Sequence, residues 1–160
     1  MINSGVSMSP VDMVVNELKR SFDGEAWHGP ALMEILDGID ARAAAARPLP
    51  QAHSIWELVV HIAVWEDVVT RRIHGETFSP RDEQNFGQVE RVNDAEWQRS
   101  VENLRDKHAR LLETVSALPE SRLHDRVPGK DYHLLFMLLG TVQHAAYHGG
   151  QIALLKRASS

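Results

Sequence analysis

Cysteine is absent from all 160 residues. That excludes disulfides, a thiolate metal site and a cysteine nucleophile, and it fits a reducing cytosol. Positive charge is short as well: 17 Lys and Arg against 22 Asp and Glu leave −5 with histidine neutral. The basic footprint of a nucleic-acid binder is therefore missing, and no Lys/Arg run replaces it. Charges and glycines interrupt every apolar stretch well before membrane-spanning length. Met1 to Pro10 has no basic segment followed by an apolar run, so no signal peptide is expected. Repeats and low-complexity segments are also lacking. The expectation is a cytoplasmic protein with no nucleic-acid or membrane partner.

What remains is ordinary globular material, 43% hydrophobic and 24% charged. The length predicts one domain over 1–160. Such a chain buries roughly two thirds of its unfolded surface.

The apolar pattern is helical throughout. Ser9-Pro10 with Asp12 is a helix start. Val11, Val14, Val15, Leu18 and Phe22 follow at helical spacing, and Asp23-Gly24 ends the run. Trp27-His28-Gly29-Pro30 restarts the chain, with Leu32, Ile35 and Leu36 on a new apolar face. Ala41–Ala46 is a turn or two of helix, stopped by Pro48 and Pro50. Ser54-x-x-Glu57 is a capping box opening a helix over about 54–74, ended by Gly75. Its inner stripe is Leu58, His61, Ile62, Trp65, Val68, Val69 and Arg72. Residues 76–92 are polar and read as a long connection. Asn93-x-x-Glu96 is a second capping-box candidate for a helix reaching about Leu118. Its inner face carries Trp97, Val101, Leu104, His108, Leu111, Leu112 and Val115. Pro128-Gly129 is a turn, and a last helix spans about Asp131 to Arg157. Four long amphipathic helices predict an all-α four-helix bundle.

Three histidines stand out. His144 and His148 are four residues apart, about 400° of helical rotation, so both point from one face. His61 lies far earlier, inside the apolar stripe of its own helix. A buried unpaired imidazole costs roughly 1–3 kcal/mol, and one metal ion satisfies three together while each second ring nitrogen finds an acceptor. Gln151, three residues after His148, shares nearly the same face. Gly149-Gly150 costs on the order of 1–2 kcal/mol against alanine inside a helix. Close approach of another helix or a ligand is one reason to tolerate it. The plainer alternative is a core His61 bonded to a carbonyl, with the pair on a polar edge.

Other candidates read as structural. His28, His74, His124 and His133 fall near breaks or helix ends, where surface placement is the default. His53 precedes the Ser54 cap, yet could fold over the site. His108 is on an inner face with no paired neighbour. Trp56 and Trp65 read as core. Glu57 reads as a cap partner that could also reach the site as a base.

With these residues in view, the chain resembles the DinB/YfiT-like superfamily of metal-dependent enzymes. The resemblance is carried by His53-Ser54-Ile55-Trp56-Glu57-Leu58-Val59-Val60-His61-Ile62-Ala63-Val64-Trp65 and by the segment Leu139 to Arg157 around His144 and His148. Trp27-His28-Gly29-Pro30 and Arg47-Pro48 add to it, and it covers nearly the whole chain. It implies a four-helix bundle in a mirror variant of up-and-down topology, commonly dimeric. It also implies a divalent metal, often nickel or zinc, on His61, His144 and His148. Characterised relatives include S-transferases using a low-molecular-weight thiol such as bacillithiol or mycothiol, and a thiol-dependent isomerase.

The expected chemistry is therefore a metal-dependent thiol S-transfer onto a small-molecule substrate. Coordination deprotonates a thiol, and without cysteine the nucleophile must come from outside. With water in its place the same site is a hydrolase, the metal lowering the water pKa towards about 7, with Glu57 or Gln151 to orient that water. A non-catalytic metal-binding or stress-response protein is a further reading, as is a metal-free interaction bundle. A structural site needs a fourth protein ligand, and the sequence offers none.

Overall fold

The computed structural model describes residues 8–159. Residues 1–7, on which much of the signal-peptide expectation rests, lie outside them. Four long helices alternate with short ones: α1 Pro10–Asp23, α2 Leu32–Leu36, α3 Ala41–Ala45, α4 Ile55–Ile73, α5 Asp82–Asn85, α6 Asp94–Ser116 and α7 Leu134–Ala158. A 3₁₀ turn, Glu120–His124, precedes α7. Helices α1 and α4 each pack against both α6 and α7, which makes the all-α bundle expected from periodicity. Among the described residues no helix is long and apolar enough to cross a membrane.

The helix starts are built as their residues dictate. The Ser9 side chain accepts from Asp12 N–H, with Pro10 at the first helical position. Ser54 and Glu57 close the full reciprocal box that opens α4. At α6 only half forms: Asn93 accepts from Glu96 N–H. The Glu96 carboxylate turns instead to Arg99, one turn on. The start of α7 also departs from expectation, at Leu134 rather than Asp131. Residues 131–133 are kept out of the helix by an antiparallel bridge from Arg126 to His133 and by Val127 N–H donating to Tyr132 O. The segment 76–92 is not all connection, since α5 interrupts it.

The core divides in two. One apolar cluster gathers Trp56, Leu58, Ile62, Trp97, Leu104 and Ile152. The other gathers Leu18, Val69, Leu111, Val115, Leu134 and Leu138. Along α4, α6 and α7 the positions between the two clusters are polar. Glu66, His108, Thr141 and His148 are all buried there. His108 does have a partner, contrary to the sequence reading: its Nδ1 is 3.0 Å from Glu66 Oε1. Phe22 stacks on the His108 ring at 3.7 Å. The pairing partner lies on another helix, which no spacing along α6 reveals.

Candidate metal centre

Helix α4 carries His61 and α7 carries His144 and His148, and the packing of α4 on α7 brings them together. One ring nitrogen from each lies within 4.8 Å of the others. His61 and His148 are buried and His144 is half-buried. The Nε2 atoms of His61 and His144 are 3.0 Å apart, close to the edge of about 3.3 Å that a tetrahedral zinc–imidazole site requires.

The outward nitrogens are already engaged. His61 Nδ1 is 3.1 Å from the Asn85 carbonyl and 3.0 Å from Asn85 Oδ1. Both are oxygen acceptors, so Nδ1 carries the proton and Nε2 offers its lone pair. Trp65 Nε1–H donates to the same Oδ1 at 2.9 Å, which fixes the amide orientation. His148 Nδ1–H donates to Gln151 Oε1 at 2.6 Å, freeing its Nε2 in the same way. Oxygen acceptors behind ligand imidazoles are the arrangement metal sites use.

The rings are also held neutral. Burial, then repulsion from His148 and His61, pushes His144 down to about 3. Burial lowers His61, opposed by the Asn85 hydrogen bond. Burial lowers His148, opposed by Gln151. A neutral imidazole is the form that ligates, so the donor set fits a divalent transition metal. Among the described residues no fourth His, Asp or Glu joins the cluster.

The remaining sequence candidates fall as follows. Gln151 reaches the site, but through His148. Glu57 stays at the cap, accepting from Ser54 N–H at 2.7 Å and from Arg47. His53 does fold over the site: its ring stacks on Phe86 at 3.6 Å, and Phe86 stacks on His61 at 4.2 Å. His28, His74, His124 and His133 are exposed. Trp56 is core, donating to Ser100 Oγ. Trp65 is not only core, since it holds Asn85 and lines a cleft with His144.

Asn85 and Phe86 were invisible to sequence reasoning, and a glycine seats them. Gly87 has φ +64, and a Cβ there would approach Val60 Cγ1 to 2.8 Å. Only glycine lets this loop lie so close on α4. A glycine just after Asn85-Phe86 was the one signal available. Gly149 and Gly150 prove unlike each other. A Cβ on buried Gly149 would meet Ile35 Cδ1 at 3.4 Å, whereas one on exposed Gly150 meets nothing within 4 Å.

Two clefts reach the histidines. A cleft of about 450 Å³ is lined by His53, Phe86, Tyr147, His148 and Gln151 among others. A second, of about 200 Å³, is lined by Trp65, Arg72, Tyr132, Phe136 and His144 among others.

No curated protein and no solved structure matches the chain. The DinB superfamily profile matches residues 26–152, a span that contains all three histidines, Asn85 and Gln151. A helical bundle with a buried histidine triad inside that match makes this chain a member of the DinB superfamily.

Proposed function

We propose that this protein is a metal-dependent S-transferase that joins a low-molecular-weight thiol to a small electrophile. The observation that carries the reading is that two separate clefts each reach the triad, one at His148 and one at His144. A two-substrate transfer needs two approaches to one centre, while hydrolysis needs one plus water. A divalent metal, nickel or zinc, held by His61, His144 and His148 supplies thiol deprotonation near neutral pH.

The chain's own residues do the rest. Asn85 and Gln151 fix the tautomers of His61 and His148. Phe86 covers the His61 face and limits water. The clefts orient the reactants, so that the sulfur bonds to an electrophilic carbon whose leaving group departs with the electron pair. Hydrolysis is less well supported, because both residues that could orient a water are committed elsewhere: Glu57 to its cap and Arg47, Gln151 to His148.

The same reading carries a homodimer in the cytoplasm. Phe136, Leu139, Tyr147 and Leu154 form an exposed apolar row on α7 bordering both clefts, the kind of surface that marks an interface. The functional test is a screen of bacillithiol, mycothiol, glutathione and free cysteine with 1-chloro-2,4-dinitrobenzene. Product formed with one thiol, and lost on thiol omission or chelation, supports transfer. Turnover of ester or amide substrates in buffer alone contradicts it in favour of hydrolysis.

A further inference from the structure

Arg72 lies about three helical turns beyond His61 on the same face of α4 and is 4% exposed. Its neighbours Arg71, Arg122 and Arg126 each hold a carboxylate: Glu76, Asp125 and Asp131. Arg72, the buried one, holds none among the described residues. Its guanidinium donates to Phe78 O, Ser79 Oγ and Tyr132 Oη, all neutral and all at 3.2–3.3 Å. A buried cation with only neutral, long contacts lacks the counter-charge that burial demands.

Arg72 lines the smaller cleft together with Tyr132, whose hydroxyl accepts from Arg72 Nη1. The walls of that cleft are apolar, from Val69, Phe136 and Met137. Trp65 spans its length: its ring is 5.7 Å from the Arg72 guanidinium carbon and 6.2 Å from the His144 ring. The cleft thus has an unmatched positive end, an apolar and aromatic middle, and the triad at the other end.

We propose that this cleft binds the acceptor substrate, and that the acceptor is a small, largely apolar carboxylic acid. Its carboxylate supplies the missing counter-charge to Arg72 and accepts from the Nη1 N–H that Phe78, Ser79 and Tyr132 leave over. Its body packs on Trp65 and Phe136, and its reactive carbon is presented at His144. The volume, about 200 Å³, matches a ligand of a single ring or a short chain. This assignment rests on the transferase reading for the role of the acid, but not for its binding.

The test is binding, by calorimetry and saturation-transfer NMR, of benzoate, phenylacetate and 3-phenylpropionate against their primary amides. The expected result is at least one acid binding tenfold or more tighter than its amide, with the preference weakened by salt. Arg72→Gln should abolish the preference. Because Arg72 also ties down residues 78 and 79, Gly140→Leu serves as the second variant. Gly140 lines the cleft and a Cβ there meets nothing within 4 Å, so leucine fills the cleft while the fold persists. Acid binding should fall at least tenfold in Gly140→Leu, with metal content retained. Equal binding of acids and amides, no binding of any acid, or unchanged acid binding in Gly140→Leu overturns the proposal. A wild-type protein that binds acids without thiol-dependent activity would leave this site standing and remove the transferase reading.

Discussion

His61 Nε2 and His144 Nε2 face each other 3.0 Å apart, although 83 positions separate them in the chain. Two unprotonated imidazole nitrogens at that distance repel unless a proton or a cation lies between them. Burial keeps His144 neutral, its pKa pushed down to about 3, so the rings share at most one neutral N–H and no imidazolium forms in the gap. A divalent ion in that gap would meet three lone pairs, because the oxygen acceptors behind His61 and His148 turn their Nε2 atoms towards it.

Removing the side-chain acceptor behind His61, with the Asn85 carbonyl left in place, should weaken the site without unfolding the bundle. Asn85 lies on α5, which buries no residue. Asn85→Ala is expected to lower metal affinity by about 10-fold, the low end for such partners because the carbonyl remains, read by competition with a chromogenic chelator. Gly87→Ala should act in the same direction, because its Cβ would lift the loop off Val60. Unchanged affinity in both variants would remove the loop from the site.

Acid should destabilise the metal-free protein through the triad. The three rings titrate below their unfolded value of 6.5. Below that value the unfolded chain binds more protons than the folded one, so stability rises with pH. The contribution is fully present above 6.5 and is lost as pH falls through the folded values. For His144 the window runs from 6.5 down to about 3. Each such ring adds up to about 1.4 kcal/mol per pH unit inside its window. Urea denaturation across this range should give a shallower pH slope for His144→Ala than for wild type. Equal slopes would mean that His144 titrates normally.

The buried pair of Glu66 and His108 should behave as a unit. Burial raises the Glu66 pKa, opposed by its contact with His108. Among the described residues Glu66 Oε2 and His108 Nε2 have no hydrogen-bond partner, so each residue depends on the other. Glu66→Leu or His108→Leu alone leaves an uncompensated buried group and should cost about 3 kcal/mol. Glu66→Leu with His108→Phe, which keeps the stack on Phe22, should recover much of that loss. A double-mutant cycle in urea measures the coupling; strictly additive losses would contradict it.

The paired glycines of α7 should separate cleanly. Gly150→Ala gains helix propensity into open space and should stabilise by about 0.5–1 kcal/mol. Gly149→Leu drives its side chain into Ile35 and should destabilise by about 1–3 kcal/mol. Chemical denaturation of the two variants checks both signs.

Local chemistry explains what could be read from the chain. Ser9, Ser54 and Asn93 act within one turn of their own backbone, so the helix starts were legible. The spacing of His144 and His148 fixes their common face, and His61 declares itself by interrupting an apolar stripe. What depended on distant packing was hidden. Asn85 and Phe86 come from a segment with no periodicity. Glu66 meets His108 from the far side of the helix that carries His61. Arg72 was visible as a stripe position, but its missing counter-charge needed the neighbouring arginines and their partners in space. The late start of α7 follows from a bridge between Arg126 and His133, which no pattern around Asp131 announces.

The central claim is that His61, His144 and His148 together hold one divalent metal. Elemental analysis of protein purified without a histidine tag tests it directly, comparing wild type with His61→Ala, His144→Ala and His148→Ala. The account predicts about one equivalent of nickel or zinc per wild-type chain and its loss from each variant. Full metal content in His61→Ala, with the fold intact by circular dichroism, would contradict it.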